Sequence, residues 1–234
     1  MRHTVVEDWS RGSSTLHQRA AGAKLLVVAI FLVLLATAHR RIVLLAGVLF
    51  LLLIWSILVA RLPLFGVLSR AAVVLPFSGV FAVVSWLAGD TARSLELILK
   101  CYLSALAVLV LVGTTLLPEL LRTLELVKVP PFLLIVGQFL YRYLFVVLEE
   151  ASHMRSAAAS RGGMTFRAAA GVLAVLFARS YSRAEGIHRA MIGRGFDGHF
   201  RPLAVRRFSA TDGQFAAASI SLLLLLRAGV EAFH

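Results

Sequence analysis

The sequence predicts an all-α, polytopic integral membrane protein: about five transmembrane helices plus a cytoplasmic module of amphipathic helices. Three observations point there. Of 234 residues, 59% are hydrophobic, and the mean hydropathy is +0.87; a soluble domain is about 45–50% apolar. The apolar residues gather into long uncharged runs, as hydrocarbon spans require. Thirteen of the 24 Lys and Arg residues fall between positions 118 and 208, and basic excess marks the cytoplasmic side of a membrane protein. The expected organisation is an N-terminal membrane domain over 1–117 with four spans, cytoplasmic coupling helices over 118–208, and a C-terminal transmembrane helix over 209–234.

Met1–Ser14 is polar and mixed in charge, unlike a cleavable leader. Ala20–Ala38 is apolar apart from Lys24, which can snorkel to the headgroups. His39-Arg40-Arg41 makes a polar turn before Ile42–Ala60, 19 residues without charge. At about 1.5 Å per residue that is about 28 Å of helix, close to the hydrocarbon thickness. Arg61-Leu62-Pro63 and Arg70 bracket an expected interfacial loop, and Ala71–Ala88 is the third span, with a tolerable kink at Pro76. Gly89-Asp90 opens an expected loop that includes Arg93 and Glu96, ahead of a fourth span over Cys101–Leu117. Four spans put both the N-terminus and Pro118 on the cytoplasmic side. The four basic residues in 1–24 agree, and Arg40-Arg41, which would lie outside, run against the rule in one short loop.

Within 118–208, Leu120, Leu121, Leu124 and Val127 recur at helical spacing opposite Glu119, Arg122, Glu125 and Lys128. Pro130-Pro131 ends that piece. Phe132–Ser160 reads as one helix, apolar to Leu148 apart from Gln138 and Arg142, then polar. Arg142 would cost a lipid-facing span about 2.5–3.5 kcal/mol. The expectation is therefore a helix buried against other helices, with a sixth span as the alternative. Thr165–Ile192 repeats the plan, apolar and small first, polar second. The two helices are expected to cross, presenting their ends at separate places. The last apolar run is Gly213–Leu226, which can span if Arg227 snorkels.

The chemistry available is narrow. The three lysines, Lys24, Lys100 and Lys128, follow no glycine-rich turn, so there is no Walker A sequence. The seven histidines have no metal-ligand spacing, and neither a metal site nor a cofactor is expected. Cys101 is a lone, apolar-flanked thiol. Glu149, Glu150 and His153 can share a helix face and are the only catalytic cluster on offer. The net charge of +12 would suggest nucleic acid in a soluble protein. Here the bases flank apolar segments with no aromatic reading module, so no nucleic acid is expected, whereas an acidic protein face or lipid headgroups remain open.

Two short motifs stand out, Ser160-Arg161-Gly162 and Gly193-Arg194-Gly195, their arginines 33 residues apart. Each arginine ends a helix and precedes glycine. Cations favour helix C-termini and glycine caps them, but arginine's planar fork also suits carboxylates on a partner.

At these residues the chain resembles the transmembrane T component of energy-coupling factor (ECF) transporters, most closely the cobalt-type CbiQ branch. His17, Arg19, Lys24 and Leu25 match the family's approach to its first span, without its proline. Val129-Pro130, Tyr141-Arg142-Tyr143 and Leu148-Glu149-Glu150 match a further run, and Ala159–Gly162 and Gly193–Phe196 match its paired arginine motifs. The resemblance implies a non-catalytic subunit of the cell (inner) membrane that binds no nucleotide. Its partners would be a CbiO-like ABC ATPase dimer, a CbiM-like S component and a small CbiN-like subunit. Arg161 and Arg194 would be coupling contacts, Gly162 and Gly195 would allow tight turns, and Arg142 would be a structural pin. Alternatives are a T component for nickel or a vitamin, a membrane-embedded enzyme, and a channel or secondary carrier.

Overall fold

The computed structural model describes residues 9, 12, 14–38, 42–126, 129–160, 162–163, 165–196 and 209–232. Among these the regular structure is entirely helical. The helices are α1 (Ala21–Ala36), α2 (Ile42–Val59), α3 (Leu64–Ala71), α4 (Leu75–Leu87), α5 (Thr91–Thr114), α6 (Leu117–Leu126), α7 (Pro131–Ser160), α8 (Phe166–Gly193) and α9 (Ala210–Ala232). Four stretches are long and apolar enough to cross a membrane: Leu64–Leu87, Thr91–Thr114, Phe132–Ser160 and Ala210–Val230. With the shorter apolar α1 and α2, this is the architecture of a polytopic membrane protein.

Two boundaries differ from the sequence expectation. The third helical segment begins at Leu64, directly after Pro63, and not at Ala71. It is interrupted by a 3₁₀ turn at Ala72–Val74 just before Pro76. Proline has no N–H to donate to the preceding turn, and the chain tightens there instead of kinking mid-span. The fourth helix begins at Thr91, not Cys101, because Asp90 caps it by accepting the Arg93 N–H at 3.0 Å. Arg93 and Glu96 are thus helical rather than in a loop, and Glu96 pairs with Lys100 at 2.6 Å across one turn.

The chain divides into two compact units, residues 1–123 with 206–234, and residues 124–205. In the first, α5 is central and packs against α1, α2, α3 and α4, while α9 packs against α1 and α2. Its core includes Phe31, Leu35, Leu53, Ile57, Leu106 and Val110. Polar side chains tie the bundle at one end. Lys24, 5% exposed, donates to the Thr114 carbonyl at 2.7 Å and to Thr115 Oγ1 at 3.2 Å. Asp212, 2% exposed, accepts the backbone N–H of Ala20 at 3.1 Å and of Ser209 at 3.2 Å. Trp9 lies against Gly66 and stacks under Arg70 at 4.3 Å, and its carbonyl accepts from His17 Nε2 at 2.9 Å.

The second unit is built on α7 and α8. Thr165 caps α8 by accepting the Ala168 N–H at 3.2 Å. Glu150 of α7 pairs with Arg179 of α8. That contact lies ten residues before the end of α7 and thirteen after the start of α8, so the chain must fold back between them. The arms share a groove along several turns, lined by Val136 to Glu150 on one side and Leu176 to Ile187 on the other. The two helices pack around this groove as a helical hairpin. Burial of Phe132–Leu148 against other helices is not what is found: Phe132, Leu140 and Leu144 are exposed, as is Arg142.

Candidate functional site

The two Arg-Gly motifs sit at the C-terminal ends of α7 and α8, and the local backbone explains their glycines. At the first end, Ser160 is the last helical residue, exposed, with its hydroxyl donating to the Ser156 carbonyl at 3.1 Å. Gly162 and Gly163 follow at φ +104° and +97°, in the left-handed region that glycine reaches without a Cβ penalty. The Gly163 N–H closes on the Ala158 carbonyl at 3.2 Å. Arg161 lies outside the described residues.

The second end repeats that closure. Gly193 is the last residue of α8 and Arg194 is its C-cap. Gly195 takes φ +76°. The Phe196 N–H closes on the Met191 carbonyl at 3.1 Å and the Gly195 N–H on Ile192 at 2.9 Å, the hydrogen-bond pair of a Schellman cap. Both ends therefore carry a bond spanning five residues, ahead of which the motif glycine stands in the left-handed conformation. Arg194 is exposed, held at the negative end of the helix macrodipole. The 28 residues of α8 separate the two ends by about 42 Å at about 1.5 Å per residue. They are presented at separate places, as the sequence expects.

Gly193 is different. It is helical, and a Cβ built there would meet nothing within 4 Å. Among the described residues nothing requires glycine at that position.

Arg142 stands on α7 with its guanidinium 5.7 Å from the centroid of the Tyr143 ring, and it makes no ion pair among the described residues. Glu149 and His153 are exposed on the same helix, and Glu150 is committed to Arg179. Among the described residues no group of three or more His, Cys, Asp or Glu is placed to hold a metal ion.

Sequence reasoning missed the interlocking of the family-like run His17, Arg19, Lys24. His17 is clamped between Ser14 Oγ at 2.7 Å and the Trp9 carbonyl. Arg19 donates to the Thr211 carbonyl at 3.2 Å and lies 5.6 Å from the Phe215 ring centroid. Lys24 reaches the end of α5. The available signal was the presence of three polar side chains just before and inside an otherwise apolar run.

Comparison with known proteins supplies a family. The family described as cobalt transport protein, CbiQ, matches residues 12–203. A cobalt transport protein CbiQ of Rhodobacter capsulatus is 30% identical over 153 residues, covering 63% of this chain and 62% of that protein. An uncharacterised protein of Methanocaldococcus jannaschii is 31% identical over 102 residues, covering 42% of this chain and 38% of its own length. The chain thus aligns with less than two thirds of either relative.

Proposed function

The chain belongs to the CbiQ family of cobalt transport proteins, and on that premise we propose that it is the transmembrane coupling and scaffold subunit of an ECF-type importer for cobalt ions. In this reading it performs no catalysis. ATP is hydrolysed by a CbiO-like ABC ATPase dimer, and the chain passes the resulting movement to a CbiM-like S component with its small CbiN-like companion. The hairpin and the N-terminus face the cytoplasm of a cell (inner) membrane, and residues 118–208 are the coupling module between the two membrane portions.

The observation that carries the reading is the pair of Arg-Gly helix ends closed in the same hydrogen-bond pattern, about 42 Å apart along one helix. An ATPase dimer offers two equivalent acidic grooves, and two arginines at well-separated helix ends, each end closed by a bond spanning five residues, suit one groove each. Arg161 and Arg194 are the contacts. Gly162 and Gly195 set the backbone that presents them, and Ser160 ends the first helix. Gly193, with open space at its Cβ position, lets a partner surface come close. Arg142 is a structural pin near the base of the hairpin.

The deciding experiment is the double variant Arg161→Ala with Arg194→Ala. It is expected to insert into the membrane at wild-type level, to lose co-purification with the ATPase subunits, and to lose cobalt uptake in cells that carry the whole complex. Wild-type uptake by that variant would sink the proposal.

A further inference from the structure

The first unit contains a cavity of about 370 Å³ that the coupling reading does not use. Four helices wall it. Val28 and Phe31 of α1, Leu53 of α2, Leu111 of α5 and Leu222 of α9 make it apolar along most of its length. Arg19, Lys24 and Thr114 stand at one end. The lining runs from Lys24 to Phe31 on α1, from Ala107 to Thr114 on α5 and from Phe215 to Leu223 on α9. Eight or nine residues on each helix, at about 1.5 Å per rise, correspond to roughly 10–12 Å, most of one leaflet's ~15 Å share of the hydrocarbon core.

Depth and lining select the occupant. An apolar lining that runs roughly 10–12 Å inward from a cationic end matches an acyl chain beneath its headgroup. Charge selects the headgroup. Arg19 stands at the polar end, and its contacts there are the Thr211 carbonyl and the Phe215 ring, neither of which carries formal charge. Lys24 adds a second cation behind it, anchored on Thr114 and Thr115. Asp212, whose carboxylate accepts the backbone N–H groups of Ala20 and Ser209, lies near the same end; two cations and one carboxylate leave it net positive.

We propose that this cavity holds one acyl chain of an anionic phospholipid, with its phosphate at Arg19. The lipid fills the space between the first and last helices of the bundle and completes their packing. Its assignment to the cytoplasmic leaflet, where anionic lipids attract basic residues, rests on the orientation proposed above; the binding itself does not.

The test uses the full chain, purified in detergent and stripped of lipid, with phosphatidylglycerol, phosphatidylcholine of the same chains, and glycerol 3-phosphate as probes. Native mass spectrometry counts bound lipid, and thermal unfolding reads the effect. One phosphatidylglycerol per chain is expected, with a raised unfolding midpoint and binding roughly fivefold tighter than phosphatidylcholine. Arg19→Gln should erase that preference. Ser219→Phe and, from the opposite wall, Val28→Phe should each abolish retention of either lipid. Glycerol 3-phosphate should have no effect; an effect equal to that of the whole lipid would make the site a simple anion site and overturn the proposal. Absence of retained lipid in the wild type would show an empty cavity and overturn it too, as would undiminished binding in a correctly folded filling variant. None of these outcomes bears on the arginine docking assay, because Arg19, Val28 and Ser219 lie outside both Arg-Gly ends.

Discussion

Gly195 stands at φ +76°, where an L side chain costs about 1–2 kcal/mol. Gly193, one residue before Arg194, is helical with nothing near its Cβ position. The two glycines flank the same arginine but answer to different demands, and alanine separates them. Gly195→Ala should lower stability by about 1 kcal/mol or more, read as a fall in the unfolding midpoint. Gly193→Ala should hold or raise stability, by up to about 1 kcal/mol, while weakening capture of the ATPase. If Gly193→Ala bound the ATPase as wild type does, the glycine would not be there for a partner. Both motifs were legible in the sequence, since arginine followed by glycine after a helical run is itself a capping signal. Their matching hydrogen bonds were not, because backbone closure depends on where each helix stops. Arg142 argues in the sequence for a helix buried against its neighbours; it lies exposed beside Tyr143.

At the scale of elements, α7 and α8 were read nearly to the residue, because Pro130-Pro131 and the glycines mark the breaks. The beginnings of α3 and α5 were misread for a common reason. Charges at Arg70, Arg93 and Glu96 lower local hydropathy, and hydropathy was taken as the boundary. Asp90, an N-cap residue immediately before a helical run, was the better cue. The attachment of α9 was not legible at all, since Asp212 meets Ala20 across 192 residues of chain. That single carboxylate joins the last helix to the first. Asp212→Ala would leave the N–H groups of Ala20 and Ser209 without their acceptor and should cost about 1–3 kcal/mol. Asp212→Asn, which keeps one acceptor oxygen, should cost less. Equal thermal stability of Asp212→Ala and wild type would mean the contact does not hold α9.

For the whole molecule, the basic excess over 118–208 predicts which side of the membrane the hairpin occupies. The exposed Ser182 of α8 offers a probe. In a Cys101→Ser background, Ser182→Cys should resist a membrane-impermeant maleimide in intact cells and react once the membranes are opened. Labelling in intact cells would reverse the proposed orientation. The stitching of residues 19–24 has a mechanical side as well. Arg19 and Ala20 hold the start of α9 through Thr211 and Asp212, and Lys24 holds the end of α5 through Thr114. The segment just ahead of the first helix and its opening turn therefore acts as a clasp: it fastens the start of α9 and the end of α5 to the start of α1. The bundle is closed by residues near the beginning of the chain that its last helix must find.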